Sequence, residues 1–234
     1  MSSEISIVIP VFNEENNINN VYLNLKKALG LSKIFNYEII FVNDGSTDNS
    51  LEIINNIKKK NKKIKIINNQ INKGLGYSIK KGMLSSKKKF VFFLPGDNEH
   101  TFNGIRPLLK DLSNYDIIIP YVQNKNARPL HRRIISMIYT LFINFLFLHR
   151  IPYYNGLVVY RSVFLKKCLR KIDNFSFSFL AELLLRMLRV TNNYHIIGYK
   201  INYSKNSNST ALKLKNIFYS ISFIIILRLK FWIK

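Results

Sequence analysis

The 234-residue chain is long enough to bury a full hydrophobic core, and 47% of its residues are hydrophobic, which excludes a disordered chain. Its formal charge of +23 points to acidic partners, phosphorylated substrates or an anionic lipid surface; no recognition motif accompanies the charge, so nucleic acid is not an expected partner. The single cysteine, Cys168, excludes an internal disulfide and any C-x-x-C metal site. A reducing, cytosolic setting is expected, without a signal peptide, because a strand pattern begins directly after Glu4.

Ile5–Phe12 reads as a first strand, closed by Pro10 and followed by Asn13 as a helix cap and by Glu14 and Glu15 in the first turn. The helix carries Ile18, Val21, Leu25 and Leu29 on one face and stops at Gly30. Tyr37–Val42 is a second strand ending in Asn43-Asp44-Gly45-Ser46-Thr47-Asp48, where Gly45 permits a tight turn before a helix with Leu51, Ile54 and Ile57. A third strand, Ile64–Ile67, leads into Asn72-Lys73-Gly74-Leu75-Gly76 and a helix through Ile79 and Met83. Phe90–Leu94 is a fourth, stopped by Pro95-Gly96 and followed by Asp97, Asn98, Glu99 and His100. Strands alternating with helices four times over predict an α/β fold with a mostly parallel, right-handed, Rossmann-like sheet.

Glu14, Asp44, Lys73 and Asp97 thus all lie just beyond the carboxyl ends of strands, where open α/β sheets bind ligands. A nucleotide with its phosphates suits the set. Carboxylates bind base and ribose, Lys73 and glycine-backed amides approach phosphate, and Asp97 suits a hard divalent cation. No G-x-G-x-x-G follows the first strand and no Walker sequence occurs, which argues against a dinucleotide enzyme or a P-loop NTPase.

Four blocks, Ser6 to Glu15, Val42 to Asp48, Asn72 to Gly74 and Phe93 to Asp97, are similar to the successive motifs of family 2 glycosyltransferases. The chain most resembles the dolichol- or polyprenyl-phosphate mannosyltransferase branch, over about residues 4–215. The resemblance implies an A-type nucleotide-sugar fold. It also implies a nucleoside-diphosphate sugar bound by Pro10, Phe12, Asn13, Glu14, Asp44, Ser46, Lys73, Gly74, Gly96 and Asp97, with Asp44 at the nucleoside. Asp97 would be the metal- and diphosphate-binding Asp of the D-x-D motif, with Mg²⁺ or Mn²⁺ as cofactor. The first Asp of that motif is Pro95 here, and Glu99, where the branch commonly has Gln, is expected to replace it as a metal ligand.

Asn103–Leu112 predicts a helix and Tyr115–Pro120 a strand. The apolar run Ile134–Leu148 is 15 residues, short of the ~20 needed to span a bilayer, and reads as a buried or interfacial helix. Arg132 and Ser136 share one helix face and, with Arg128, could grip a phosphate; the alternative is solvated arginines beside a core helix. The branch resembles this arrangement, using basic residues and a Ser to hold the acceptor phosphate. Tyr153–Arg161 is a turn and strand, with Asn155 where the family often has Asp. In the predicted helix Phe177–Arg189, Glu182 is the candidate general base, or else an ion-pair partner of Arg186 four residues on.

A strand is predicted at Tyr194–Tyr203. Ser204–Thr210 resembles the branch's flexible lid loop, keeping only Ser209 of its pattern; a plain linker is the alternative. Ile217–Ile233, flanked by Lys213, Lys215 and Lys234 and carrying Arg228, Lys230 and Trp232, reads as an interfacial anchor on anionic lipid rather than a span or a core helix. The expected organisation is a catalytic domain over 1–212, with a donor half to about 120 and an acceptor half from about 121, and a membrane-associating helix over 213–234. The expected function is inverting transfer of a sugar to a polyprenyl phosphate at the cytoplasmic membrane face. The alternatives are a saccharide acceptor in surface polysaccharide or lipid-linked glycan, and a non-catalytic nucleotide-sugar-binding protein.

Overall fold

Apolar runs without polar alternation are strands buried on both faces, and four such runs form one side of the sheet. The computed structural model describes residues 4–110, 112–202 and 214–232. In it, β1 (Glu4–Val11), β2 (Asn36–Asp44), β3 (Ile64–Asn69) and β4 (Phe90–Phe93) run parallel in the order β3-β2-β1-β4. α1 (Ile18–Leu31), α2 (Ser50–Lys60) and α3 (Leu75–Ser85) connect them, and α1 buries the predicted face of Ile18, Val21, Leu25 and Leu29. Polar residues inside these strands are paired. Buried Glu38 accepts from Ser6 Oγ at 2.7 Å and pairs with Lys65 at 2.6 Å, lacing β1, β2 and β3.

Pro10 does not close β1; it lies within the strand, opposite Val42. The Val8 carbonyl accepts from Leu94 N at 2.8 Å on the β4 side. Pro10, two residues on, faces the same way, beyond the last β4 residue paired to β1, so the ladder needs no N–H from it.

The second half adds β5 (Ile117–Val122), β6 (Val159–Arg161) and β7 (Tyr194–Tyr199), giving the seven-stranded order β3-β2-β1-β4-β6-β5-β7. β6 is antiparallel to both neighbours, and β7 is parallel to β5. The predicted helix 103–112 breaks into a short α4 (Phe102–Ile105) and a 3₁₀ turn at Arg106–Leu109, because Pro107 lacks the N–H a continuing helix needs. α5 (Leu130–Phe147) starts four residues before the apolar run and takes Arg132 and Arg133 into its first turn. α6 (Ser162–Leu169) has no sequence-based counterpart; eight residues are too few for its buried face of Leu165, Cys168 and Leu169 to show a clear period.

α7 (Phe179–Leu188) and α8 (Leu214–Trp232) complete the chain. α8 lies against α5, with Ile143, Ile224 and Leu227 buried and the Phe147 and Phe231 rings edge to face at 5.8 Å. Both helices also leave large apolar side chains exposed, Met137, Leu141 and Phe145 on α5 and Phe218, Ile226 and Leu229 on α8. Among the described residues no helix is long and apolar enough to cross a membrane.

α3 approaches the sheet so closely that a Cβ on Gly82 would collide with Val8 Cγ1 and stand 3.0 Å from Val42 Cγ2. Gly82→Ala is therefore expected to destabilise the fold by about 1–3 kcal/mol through overpacking. Gly30→Ala, with open space around it in α1, should stabilise by up to about 1 kcal/mol. Urea unfolding of both variants checks this, read as opposite shifts in midpoint at unchanged slope.

Candidate active site

The β1 and β2 exits are cross-laced. Asn13, at φ 55°, accepts from Thr47 N through its Oδ1 at 2.8 Å, while its own N–H donates to Ser46 Oγ at 3.1 Å. Glu14 N donates to Ser50 Oγ at 2.9 Å, and Glu15 N to Asp48 Oδ2 at 3.1 Å. Asn13 thus binds the neighbouring loop rather than capping α1, whose first residue is Ile18. Phe12 stays 46% exposed at the mouth of the crevice.

Asp44, only 3% exposed, ends β2. Its Oδ1 accepts from Lys73 N at 3.0 Å and Asn69 Nδ2 at 2.8 Å, and its Oδ2 from Gly74 N at 2.8 Å. The β3–α3 loop is thereby tied to the β2 exit. Gly74 sits at φ 90° and Gly45 at φ 73°, backbone conformations that favour glycine. A Cβ on Gly45 would stand 2.6 Å from the Ile71 carbonyl carbon, so these two loops also pack without side chains between them. Lys73 Nζ lies 5.0 Å from the Tyr77 ring centroid.

The β4 exit folds under β1. A Cβ on Gly96 would be 3.1 Å from Pro10 O and 3.5 Å from Glu14 Cγ. Asp97 Oδ1 accepts from Glu99 N at 3.1 Å, and Asn98, at φ 58°, is held by Asn24 of α1 at 3.0 Å. Burial pushes the Asp97 carboxyl up, against its backbone hydrogen bonds and Arg128. Burial also raises Glu14, with Asp97 and Asp48 adding repulsion. Burial thus opposes the ionisation of both carboxylates, and the charge of Asp97 further opposes that of Glu14, which a bound cation would relieve.

Among the described residues no group of three or more His, Cys, Asp or Glu side chains could hold a metal by itself. Asp97 with Glu99 nevertheless suits a cation that takes most of its ligands from a diphosphate and water, as Mg²⁺ commonly does.

Arg128, Arg132 and Ser136, expected as phosphate ligands, line one cavity of about 500 Å³ together with Glu99. Its other walls are largely apolar, Ile135, Ile138 and Phe142 of α5 and Ile217 and Ile221 of α8 among them. Arg128 Nη1 donates to Tyr153 Oη at 3.3 Å. His100 stacks on Tyr199 at 5.8 Å; burial, with Arg128 adding, pushes it down to about 4, so the ring is neutral at pH 7. Asn155 also lines the cavity, its buried Oδ1 without a hydrogen-bond partner among the described residues.

Glu182 is not among the lining residues. It is 2% exposed on α7, and its Oε1 receives Arg186 Nε at 2.8 Å and Nη2 at 2.7 Å, which is the ion pair the spacing allowed. Tyr153 and the α8 wall carried no sequence signal as parts of this cavity, because each reaches it from an element remote in sequence from α5. The expected lid, with Ser209, lies outside the described residues.

An α/β sheet whose strand exits gather carboxylates, a lysine and glycine-backed amides defines a nucleotide-type site. The model of glycosyl transferase family 2 matches residues 6–171, and the chain belongs to that family. A dolichyl-phosphate β-glucosyltransferase of Trichomonas vaginalis is 30% identical over 59% of this chain and 47% of its own length. The dolichol-phosphate mannosyltransferase of Saccharomyces cerevisiae is 26% identical over 58% of this chain and 53% of its own. The match spans about half the length of these curated relatives. Glucosyl-3-phosphoglycerate synthase of Mycobacterium tuberculosis, solved with Mn²⁺, UDP and glucosyl-3-phosphoglycerate, superposes with TM-score 0.60 at 14% identity. The alignment covers 97% of this chain and 79% of that one. The fold is thus the A-type glycosyltransferase fold expected from the motifs.

A carboxyl raised in the folded state binds more protons folded than unfolded. Stability is then lost as pH climbs from 3.8, the ordinary Asp value, through the raised one. Asp97→Asn should flatten that loss and raise Tm at pH 7 relative to the wild type. Thermal melts of wild type and variant across acidic to neutral pH check it; parallel profiles would refute it.

Proposed function

We propose that this protein is an inverting glycosyltransferase that moves a sugar from a nucleoside-diphosphate sugar to a polyprenyl phosphate, dolichyl or undecaprenyl, at the cytoplasmic face of a membrane. The cavity carries this reading: Arg128, Arg132, Ser136 and Glu99 line it together with largely apolar walls, a combination suited to a phosphate with a hydrocarbon tail. The dolichyl-phosphate relatives support the same acceptor class.

In this reading Pro10, Phe12, Asn13, Glu14, Asp44 and Ser46 shape the nucleoside seat, with Asp44 acting through the loop it holds. Lys73, Gly74 and Gly96 let the chain approach the diphosphate, and Asp97 with Glu99 would hold the cation. Bound there, Mg²⁺ or Mn²⁺ supplies positive charge to the leaving diphosphate. Arg128 and Arg132 fix the acceptor phosphate so that one of its oxygens forms the bond to the anomeric carbon as the bond to the donor diphosphate breaks. That oxygen is already ionised at pH 7, so the step needs no general base, in keeping with Glu182 being paired to Arg186. The exposed apolar residues of α5 and α8 would rest in the lipid interface, with 213–234 as the membrane-associating segment of a 1–212 catalytic domain.

The test is transfer from radiolabelled UDP- and GDP-sugars into organic-extractable lipid, with undecaprenyl phosphate and Mn²⁺. Acid-labile lipid label is expected. Asp97→Ala should lower transfer and donor hydrolysis by about 10³-fold or more. Arg128→Ala with Arg132→Ala should lower kcat/KM for the lipid by about 10²-fold while donor hydrolysis persists. Hydrolysis without lipid label would replace the acceptor by a saccharide, and no turnover of any donor would leave a nucleotide-sugar-binding protein.

A further inference from the structure

α6, α7 and α8 all end at one place. There they enclose a second cavity, of about 700 Å³, lined by the cations Lys167, Lys171, Arg186, Arg189 and Lys230 against Val190 and Phe231. No lining residue is acidic. Lysines and arginines near helix C-termini ordinarily offset the dipole, about −0.5 charge per helix end. Three such ends and the Glu182 carboxylate behind Arg186 still leave an excess of about 2.5 positive charges.

The cluster is also held in place. Arg189 lies 4.4 Å and Arg186 5.5 Å from the Phe231 ring centroid, and among the described residues only Arg186 of the five is in an ion pair. Beside the pocket, Ile226 and Leu229 of α8 and Val190 expose apolar surface. This site is separate from the acceptor cavity, whose α8 contact ends at Ile221; Ile221 to Lys230 is about 13 Å of helix.

We propose that this pocket binds the phosphate headgroup of an anionic phospholipid and so seats α8 on the bilayer beside the acceptor cavity. The inference rests on the membrane-associating role given to α8 above. A phosphate diester places one negative charge among the cations while its acyl chains lie along the exposed apolar residues.

The full chain is tested by flotation with vesicles of phosphatidylcholine alone and with phosphatidylglycerol added. Wild type should bind the mixed vesicles. A triple variant, Lys171→Gln, Arg189→Gln and Lys230→Gln, should lower the partition coefficient about 100-fold, since each basic residue near the surface contributes about fivefold. All three side chains are exposed, so Tm should hold; Lys171→Gln and Lys230→Gln alone, each about fivefold weaker, keep the test sound if the triple variant melts early. The same charge change on α2, Lys58→Gln, Lys59→Gln and Lys60→Gln, outside the pocket, should weaken binding by less than about threefold.

Equal losses from the two triple variants would overturn the pocket and leave diffuse attraction from the whole charge, with membrane association intact. Wild type that floats with neither vesicle would overturn both readings. Inorganic phosphate that raises the wild-type Tm but not that of the pocket variant, while both float equally, would assign the pocket to soluble phosphate and overturn the lipid headgroup.

Discussion

The parallel half of the sheet depends on one buried carboxylate at its strand exits. Asp44 gives both of its oxygens to the Lys73 and Gly74 amides and to Asn69, so the β2 exit and the β3–α3 loop form a single rigid edge. A carboxylate this buried would be costly without partners, and charge-assisted bonds to backbone amides are among the stronger hydrogen bonds available to it. The Asn13, Ser46 and Thr47 contacts join the β1 exit to the same edge. With its amides held by Asp44, the loop keeps one fixed shape, the preorganisation that lets a site act without reordering.

Electrostatics divide the site. At the β1 and β4 exits burial raises both Glu14 and Asp97, and Asp97 adds repulsion on Glu14, a cost that a cation would relieve. On the cavity side Arg128 stands within electrostatic reach of Asp97, Glu99, His100 and Tyr199. Proline at the first D-x-D position therefore costs one carboxylate but not the acidic character of the spot, because Glu14 comes close from β1 and Glu99 follows in the same loop. His100, neutral and stacked, adds no charge to this balance.

α5 and α8 carry the other half of the argument. Each is too short or too charged to cross a bilayer, yet each exposes a row of large apolar side chains while packing against its neighbour. The cavity between them is lined by Arg132 and apolar residues of α5 and by Ile217 and Ile221 of α8, so the cavity and the apolar outer surface belong to the same pair of helices.

Local patterning was enough for much of this. Buried-strand runs, helix faces and the turn residues at each strand exit were legible in the sequence, because they depend on residues a few positions apart. So was the gathering of Glu14, Asp44, Lys73 and Asp97 at one sheet edge, since parallel strands place every exit on the same side. Arg132 and Ser136 on one face of α5 followed from the helical period alone. The rest needed the tertiary structure. Pro107 broke a helix that the apolar pattern seemed to continue, and α6 was too short to announce itself. Tyr153 meets Arg128 across 25 residues, and α8 reaches the α5 wall from much farther along the chain. Glu182 had two roles open to it by spacing, and packing on α7 put it beside Arg186. Chemistry within one strand exit is written in neighbouring residues; which exits, helices and charges then meet is decided by long-range packing, which no local period encodes.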